Sequence, residues 1–181
     1  MKTLKDFNFE NKKAIIRVDF NVPLNDKFEV TDATRIQAAK STIIDILEQG
    51  GSCVLMSHLG RPKGFQEEFS LRHIVKSVVD IIGCNVKFVE DCVGEKAEEA
   101  VANLEAGEIL LLENLRFYAE ETKGDVAFAE KLSKLGDIYV NDAFGTAHRA
   151  HASTTIIAQF FEGNKCFGNL LAREIESIDK V

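Results

Sequence analysis

The sequence has no tryptophan, only two prolines and two tyrosines, and no run of apolar residues near the roughly 18 to 20 needed to cross a bilayer. The opening MKTLKDFNFENKK lacks the apolar core of a secretory signal, so a cytoplasmic protein with no membrane partner is expected. Positive charge is in deficit: 22 Lys and Arg against 29 Asp and Glu leave a net charge of -7, which excludes a broad basic surface and with it nucleic acid as a partner. The four cysteines, Cys53, Cys84, Cys92 and Cys166, form no CxxC pair and stand in or beside apolar stretches. They read as free thiols within a core rather than a disulfide framework, and none has a basic sequence neighbour to lower its pKa for nucleophilic work. No GxxxxGK[ST] and no GxGxxG follows a strand, so neither familiar glycine-rich loop holds a nucleotide here. HRAH at 148 to 151 offers two histidines three apart, but no second His or Cys pair completes a zinc set, and no metal is expected.

What remains, 181 residues with 45% hydrophobic and 28% charged side chains, has the proportions of one globular domain. Short apolar runs alternate with segments of helical period. AIIRV (14 to 18), CVLM (53 to 56), NVKFV (85 to 89), EILLL (108 to 112) and DIYV (137 to 140) predict five strands. Between them, Ile36, Ala39, Ile43 and Leu47 recur at helical spacing after an N-cap at Thr31 or Asp32, until Gly50 and Gly51 stop the pattern. Leu71, Ile74, Val75, Val78 and Ile82 form one face of a second helix, capped by Ser70 and ended by Gly83. EKAEEAVANLEAG (95 to 107), the segment from Asp125 to Gly136 and a short run at TTIIAQFF predict three more. Strands apolar throughout and separated by helices indicate a doubly wound α/β fold, a parallel sheet with helices on both faces. Leu171, Ile175 and Ile178 share a helical face with no residue to end the pattern, which reads as a truncated helix.

In such a sheet, ligands bind beyond the carboxyl ends of the strands. Those ends carry Asp19 and Asn21; His58, Arg61 and Lys63; Glu113 and Arg116; and Asp142, His148, Arg149 and His151, with Arg35 in the first turn of the first helix. Four arginines and three histidines in an acidic protein concentrate positive potential at one cleft, and the planar fork of arginine suits phosphate or carboxylate. The inferred ligand is a small molecule with two anionic groups. Solvated salt bridges scattered over loops are the competing reading. Asp19 reads as either a general base or an anchor for loop amides or a ligand hydroxyl.

RVDFNVP (17 to 23), TDATRI (31 to 36), SHLGRPKG (57 to 64), LLENLRF (111 to 117), NDAFGTAHRAHAS (141 to 153) and GNLLAREI (168 to 175), in this order, resemble the N-terminal domain of the phosphoglycerate kinase family. The resemblance implies a single Rossmann-like three-layer domain over 1 to 169, and at 170 to 181 the start of an interdomain helix. It implies glycolytic phosphoryl transfer between ATP and the carboxylate of 3-phosphoglycerate, giving 1,3-bisphosphoglycerate and Mg-ADP, or the reverse. Carried onto these positions, the substrate-binding residues are Asp19, Phe20, Asn21, Arg35, His58, Leu59, Gly60, Arg61, Arg116 and Arg149. Asp19 and Asn21 meet the hydroxyl region, Arg35 the reacting carboxyl end as the catalytic group, and His58, Arg61, Arg116 and Arg149 the distal phosphate, with His151 supporting. Mg-ATP or Mg-ADP would belong to a covalently joined C-terminal domain absent from this chain. The chain is then expected to be a monomer unable to catalyse transfer alone. The alternative is a stand-alone, non-catalytic anion-binding module.

Overall fold

The computed structural model describes residues 1–143 and 149–179; His148 of the expected cluster and residues 180 and 181 of the expected interdomain segment lie outside them. Six parallel strands form one sheet in the order β3-β4-β2-β1-β5-β6: β1 Lys13–Arg17, β2 Ser52–Met56, β3 Val86–Val89, β4 Ile109–Leu112, β5 Ile138–Asn141 and β6 Lys165–Phe167. Five of these fall on the apolar runs read from sequence. The sixth, KCF, is a three-residue edge strand, and the sheet edge alone selects it: Tyr139 pairs with Lys165 and Asn141 with Phe167.

Because side chains alternate across a strand, each strand feeds two cores. On one face Ala14, Ile16, Leu55, Leu111 and Val140 pack with Ile36, Ile43 and Ile46 of α1 (Thr34–Glu48) and Val78 and Ile82 of α2 (Val75–Ile82). On the other, Ile15, Val54, Met56, Leu110 and Tyr139 meet Ala97 and Val101 of α3 (Glu95–Ala102) and Phe128, Ala129 and Leu132 of α5 (Val126–Ser133). The layers are therefore helix, sheet, helix, as the sequence pattern predicts. None of the helices described is long and apolar enough to cross a membrane.

Local chemistry sets the helix ends, with some departures from expectation. Ser70 Oγ accepts from Arg72 N and Gly83 closes α2 at φ 86°, both as predicted, but the first turn, Leu71–Ile74, is a 3-10 turn. The N-cap of α1 is Ala33, not Thr31 or Asp32; Asp32 Oδ1 instead accepts from the amide and hydroxyl of Thr34, an Asx turn one residue too early to cap. The TTIIAQFF run winds only as a 3-10 turn, Ile156–Phe160, since its β-branched residues favour a fuller helix weakly. A four-residue helix, α4 (Glu120–Lys123), escaped the periodicity because one turn has no period to detect. The terminal helix α6, Asn169–Asp179, buries Leu171 and Ala172.

Chain order along the sheet reverses at β1, with β2 on one side and β5 on the other. Arg17 is in register with Met56 and with Asn141, so the loops leaving β1, β2 and β5 emerge together at this switch point.

Candidate functional site

Beyond β1 the chain turns sharply on its own side chains. Asp19 Oδ1 accepts from Asn21 N at 3.1 Å and from Arg35 Nη1 at 3.3 Å, and Arg35 also donates to Asn21 O at 2.8 Å. Asn21 Oδ1 then accepts from Gly60 N at 2.9 Å, tying the β1 loop to the β2 loop. Asp19 is thus committed as an anchor in this arrangement. Gly60 sits at φ 63°, and a Cβ there would lie 2.5 Å from the Phe69 ring, so the loop can follow this course only with glycine.

The loop after β4 supplies Arg116 through Asn114. This buried amide accepts from Arg116 N and Leu59 N, and donates to Leu59 O and Phe69 O, locking the Arg116 turn onto the His58–Gly60 loop. Glu113, named with the strand mouths, has a different task. Its buried carboxylate accepts from Ser70 Oγ at 2.6 Å, Leu71 N at 2.8 Å and Asn114 N at 2.9 Å, so it anchors loops, and it lines neither of the arginine-bearing clefts described below. Asp142 is likewise buried and accepts from Leu171 N at 3.1 Å, an acceptor for the start of α6. Burial raises its pKa, against the hydrogen bonds it accepts.

The remaining groups converge. Asp19, Asn21, Arg35, His58, Gly60, Arg61, Arg116 and Arg149 line one cleft of about 290 Å3. A contiguous cleft of about 570 Å3 shares Arg61, Arg116 and Arg149 and adds Lys63 and His151. Phe20 and Leu59 do not line the first cleft: both side chains belong to the core, Phe20 donating its amide to Ser57 Oγ at 2.9 Å.

The cationic charge in the cleft is largely uncompensated. Among the described residues neither Arg61, Arg116 nor Arg149 has an ion-pair partner, and Arg35 pairs only with Asp19. The Arg116 pKa is lowered, chiefly by burial and then by Arg17, with Arg149 and Arg61 adding to it and Glu121 opposing. Its Nε is buried and unpaired, as is Nδ1 of His151. Burial lowers the His151 pKa, with Arg116, Arg17 and Arg149 adding to the shift and Glu121 opposing it. A bound anion would relieve this repulsion and supply acceptors; a cation would worsen it.

One participant was not singled out from sequence. Arg17, at the end of β1, is wholly buried beneath the cleft. Its Nε donates to Ser153 Oγ at 2.8 Å and its Nη2 meets His58 Nδ1 at 2.9 Å, with Nη1 on Val18 O. Ser153 passes the contact on to Glu121, its hydroxyl donating at 2.5 Å and its amide at 2.9 Å. The signal was present: a lone charge inside an otherwise apolar buried strand is rarely free of a specific partner.

The family profile for phosphoglycerate kinase matches residues 4–181. The chain belongs to the phosphoglycerate kinase family. It is 51% identical to the phosphoglycerate kinase of Moorella thermoacetica, across 98% of this chain and 45% of that one. It is 48% identical to a cytosolic phosphoglycerate kinase of Arabidopsis thaliana, across 96% of this chain and 43% of that one. The crystal structure of phosphoglycerate kinase from Pyrococcus horikoshii superimposes with a TM-score of 0.89 at 34% identity, over 99% of this chain and 45% of that one. The chain therefore spans about half the length of the phosphoglycerate kinases it matches, and the sheet and its helices are the fold shared with them.

Proposed function

We propose that this chain is the acid-substrate half of a phosphoglycerate kinase and holds 3-phosphoglycerate or 1,3-bisphosphoglycerate in the cleft above β1 and β2. The observation that carries this reading is the convergence of Arg35, Arg61, Arg116, Arg149 and His58 with Asp19 and Asn21 around about 290 Å3. Arg61, Arg116, Arg149 and His58 would grip the distal phosphate, and Asn21 with Asp19 the hydroxyl region. Arg35, which shares Asp19 with the loop, would meet charge on the reacting carboxyl end. His151 would support from the adjoining cleft.

The chemistry suits such a division. A carboxylate nucleophile is already ionised at neutral pH, so no general base is required and Asp19 is free to serve as an anchor. Phosphoryl transfer then reduces to positioning and stabilisation of charge. The lining of the cleft is wrong for a divalent cation, with four arginines against one carboxylate that is already engaged. Mg-ATP or Mg-ADP is accordingly assigned to a covalently joined second half, of the kind the length of the relatives provides for, and no step here passes through it. We place the working protein in the cytoplasm as a monomer in glycolysis. The present chain is expected to bind 3-phosphoglycerate and to give no ATP-dependent turnover in a coupled assay. Robust turnover by the purified 181-residue chain would contradict the assignment, and absence of any binding would favour the second class of reading, a module for some other anion.

A further inference from the structure

The buried Arg17 makes a statement about His58 that the cleft alone does not. A guanidinium has donors and no acceptor. The 2.9 Å contact from Arg17 Nη2 therefore requires His58 Nδ1 to be an unprotonated acceptor, which leaves the ring proton on Nε2. No described residue hydrogen-bonds Nε2, and His58 lines the cleft, so that donor is the one a ligand can meet. We propose that Arg17 is a positioning residue of the anion site, locking His58 in the neutral Nε2–H form so that it presents an uncharged donor among the arginines.

The surroundings reinforce the lock from every side. Arg17 approaches from β1, Arg116 from the turn after β4, His151 from the segment after β5 and Arg35 from α1; Asp19 is the one carboxylate lining the same cleft. Burial first, then Arg17, Arg116, His151 and Arg35 in that order, push the His58 pKa down to about 2. Protonation at Nδ1 would set an N–H against the guanidinium N–H. Arg17 itself is held in place by Ser153, whose hydroxyl is oriented by Glu121, so the device runs from α4 through the core to the cleft. The consequence for binding is that His58 contributes the same neutral hydrogen bond throughout the range in which an ordinary histidine changes charge.

That the anion is 3-phosphoglycerate rests on the function proposed above, but the tautomer can be read without any ligand. With [15N]histidine-labelled chain and His58→Gln to assign the signals, two-bond nitrogen–proton spectra are expected to show His58 Nδ1 as pyridine-type and Nε2 as pyrrole-type nitrogen. Neither should titrate between about pH 5 and 8. A proton on Nδ1, or titration of His58 in that range, would overturn the proposal. In Arg17→Met, the ring is expected to populate both tautomers, and sulfate affinity to fall by about tenfold or more. A merely structural role for Arg17 would lower affinity without moving the tautomer, so a folded Arg17→Met that keeps the Nε2–H form also overturns it. If Arg17→Met does not fold, the wild-type tautomer and its constancy with pH decide. Failure of 3-phosphoglycerate to bind while the tautomer holds would count against the substrate and leave the role of Arg17 supported.

Discussion

Glu121→Ala is expected to destabilise the fold by about 3 to 5 kcal/mol, the range for breaking a buried charge arrangement by removing one partner. Arg17 and Glu121 are both fully buried and do not touch; Ser153 Oγ lies between them, accepting from one and donating to the other. Removing the carboxylate strands the Arg17 charge in the core and takes the acceptors from Ser153 N and Oγ together. Glu121→Gln restores an acceptor and not the charge, and should fall between alanine and wild type. Urea denaturation with linear extrapolation measures both. For a domain of this size the alanine variant should also melt about 6 to 20 °C lower. A loss below about 1 kcal/mol would show that Arg17 is compensated by other groups.

Arg116→Ala is expected to have the opposite profile, weakening 3-phosphoglycerate binding by about 10- to 150-fold while leaving stability unchanged or slightly raised. The binding loss corresponds to one charge-assisted hydrogen bond, about 1.5 to 3 kcal/mol. The stability expectation follows from crowding. Arg116 lies near Arg17, Arg149 and Arg61, has a buried Nε without a partner, and makes only a 3.3 Å contact to Gly60 O. Truncation removes an unpaired donor and a like charge from the free protein, and removes a ligand contact from the bound one. Calorimetric titration alongside a thermal melt separates the two effects. A variant that lost stability but kept its affinity would place Arg116 in the framework and out of the site.

Periodicity and the position of residues after strands made most of the fold and the cationic cleft legible. AIIRV, CVLM and DIYV carry the strand signal in their own composition, and the parallel topology then forces Asn21, His58 and Arg116 to one edge of the sheet. KCF is different: three residues hold no alternation, and only the pairing with Tyr139 and Asn141 makes them a strand. The same distinction divides the site. Arg35, Arg61 and Arg149 announce themselves as exposed basic residues in loops or a first helical turn, whereas Asn114 and Glu121 act through partners far away in sequence. Glu121 meets Ser153 across 32 residues and Asn114 meets Leu59 across 55. A carboxylate that braces and one that binds look alike until those partners are in place, which is why Glu113 and Asp142 stood among the candidates and proved to be anchors.

The most direct test of the central claim is a titration of the 181-residue chain with 3-phosphoglycerate, followed by residue-resolved NMR. Saturable shifts confined to Asn21, His58, Gly60, Arg61, Arg116 and Arg149, and abolished by Arg61→Ala with Arg149→Ala, are the expected result. Shifts centred instead on the apolar groove that Tyr139, Cys166 and Phe167 line at the β6 edge, or no saturable binding, would contradict it.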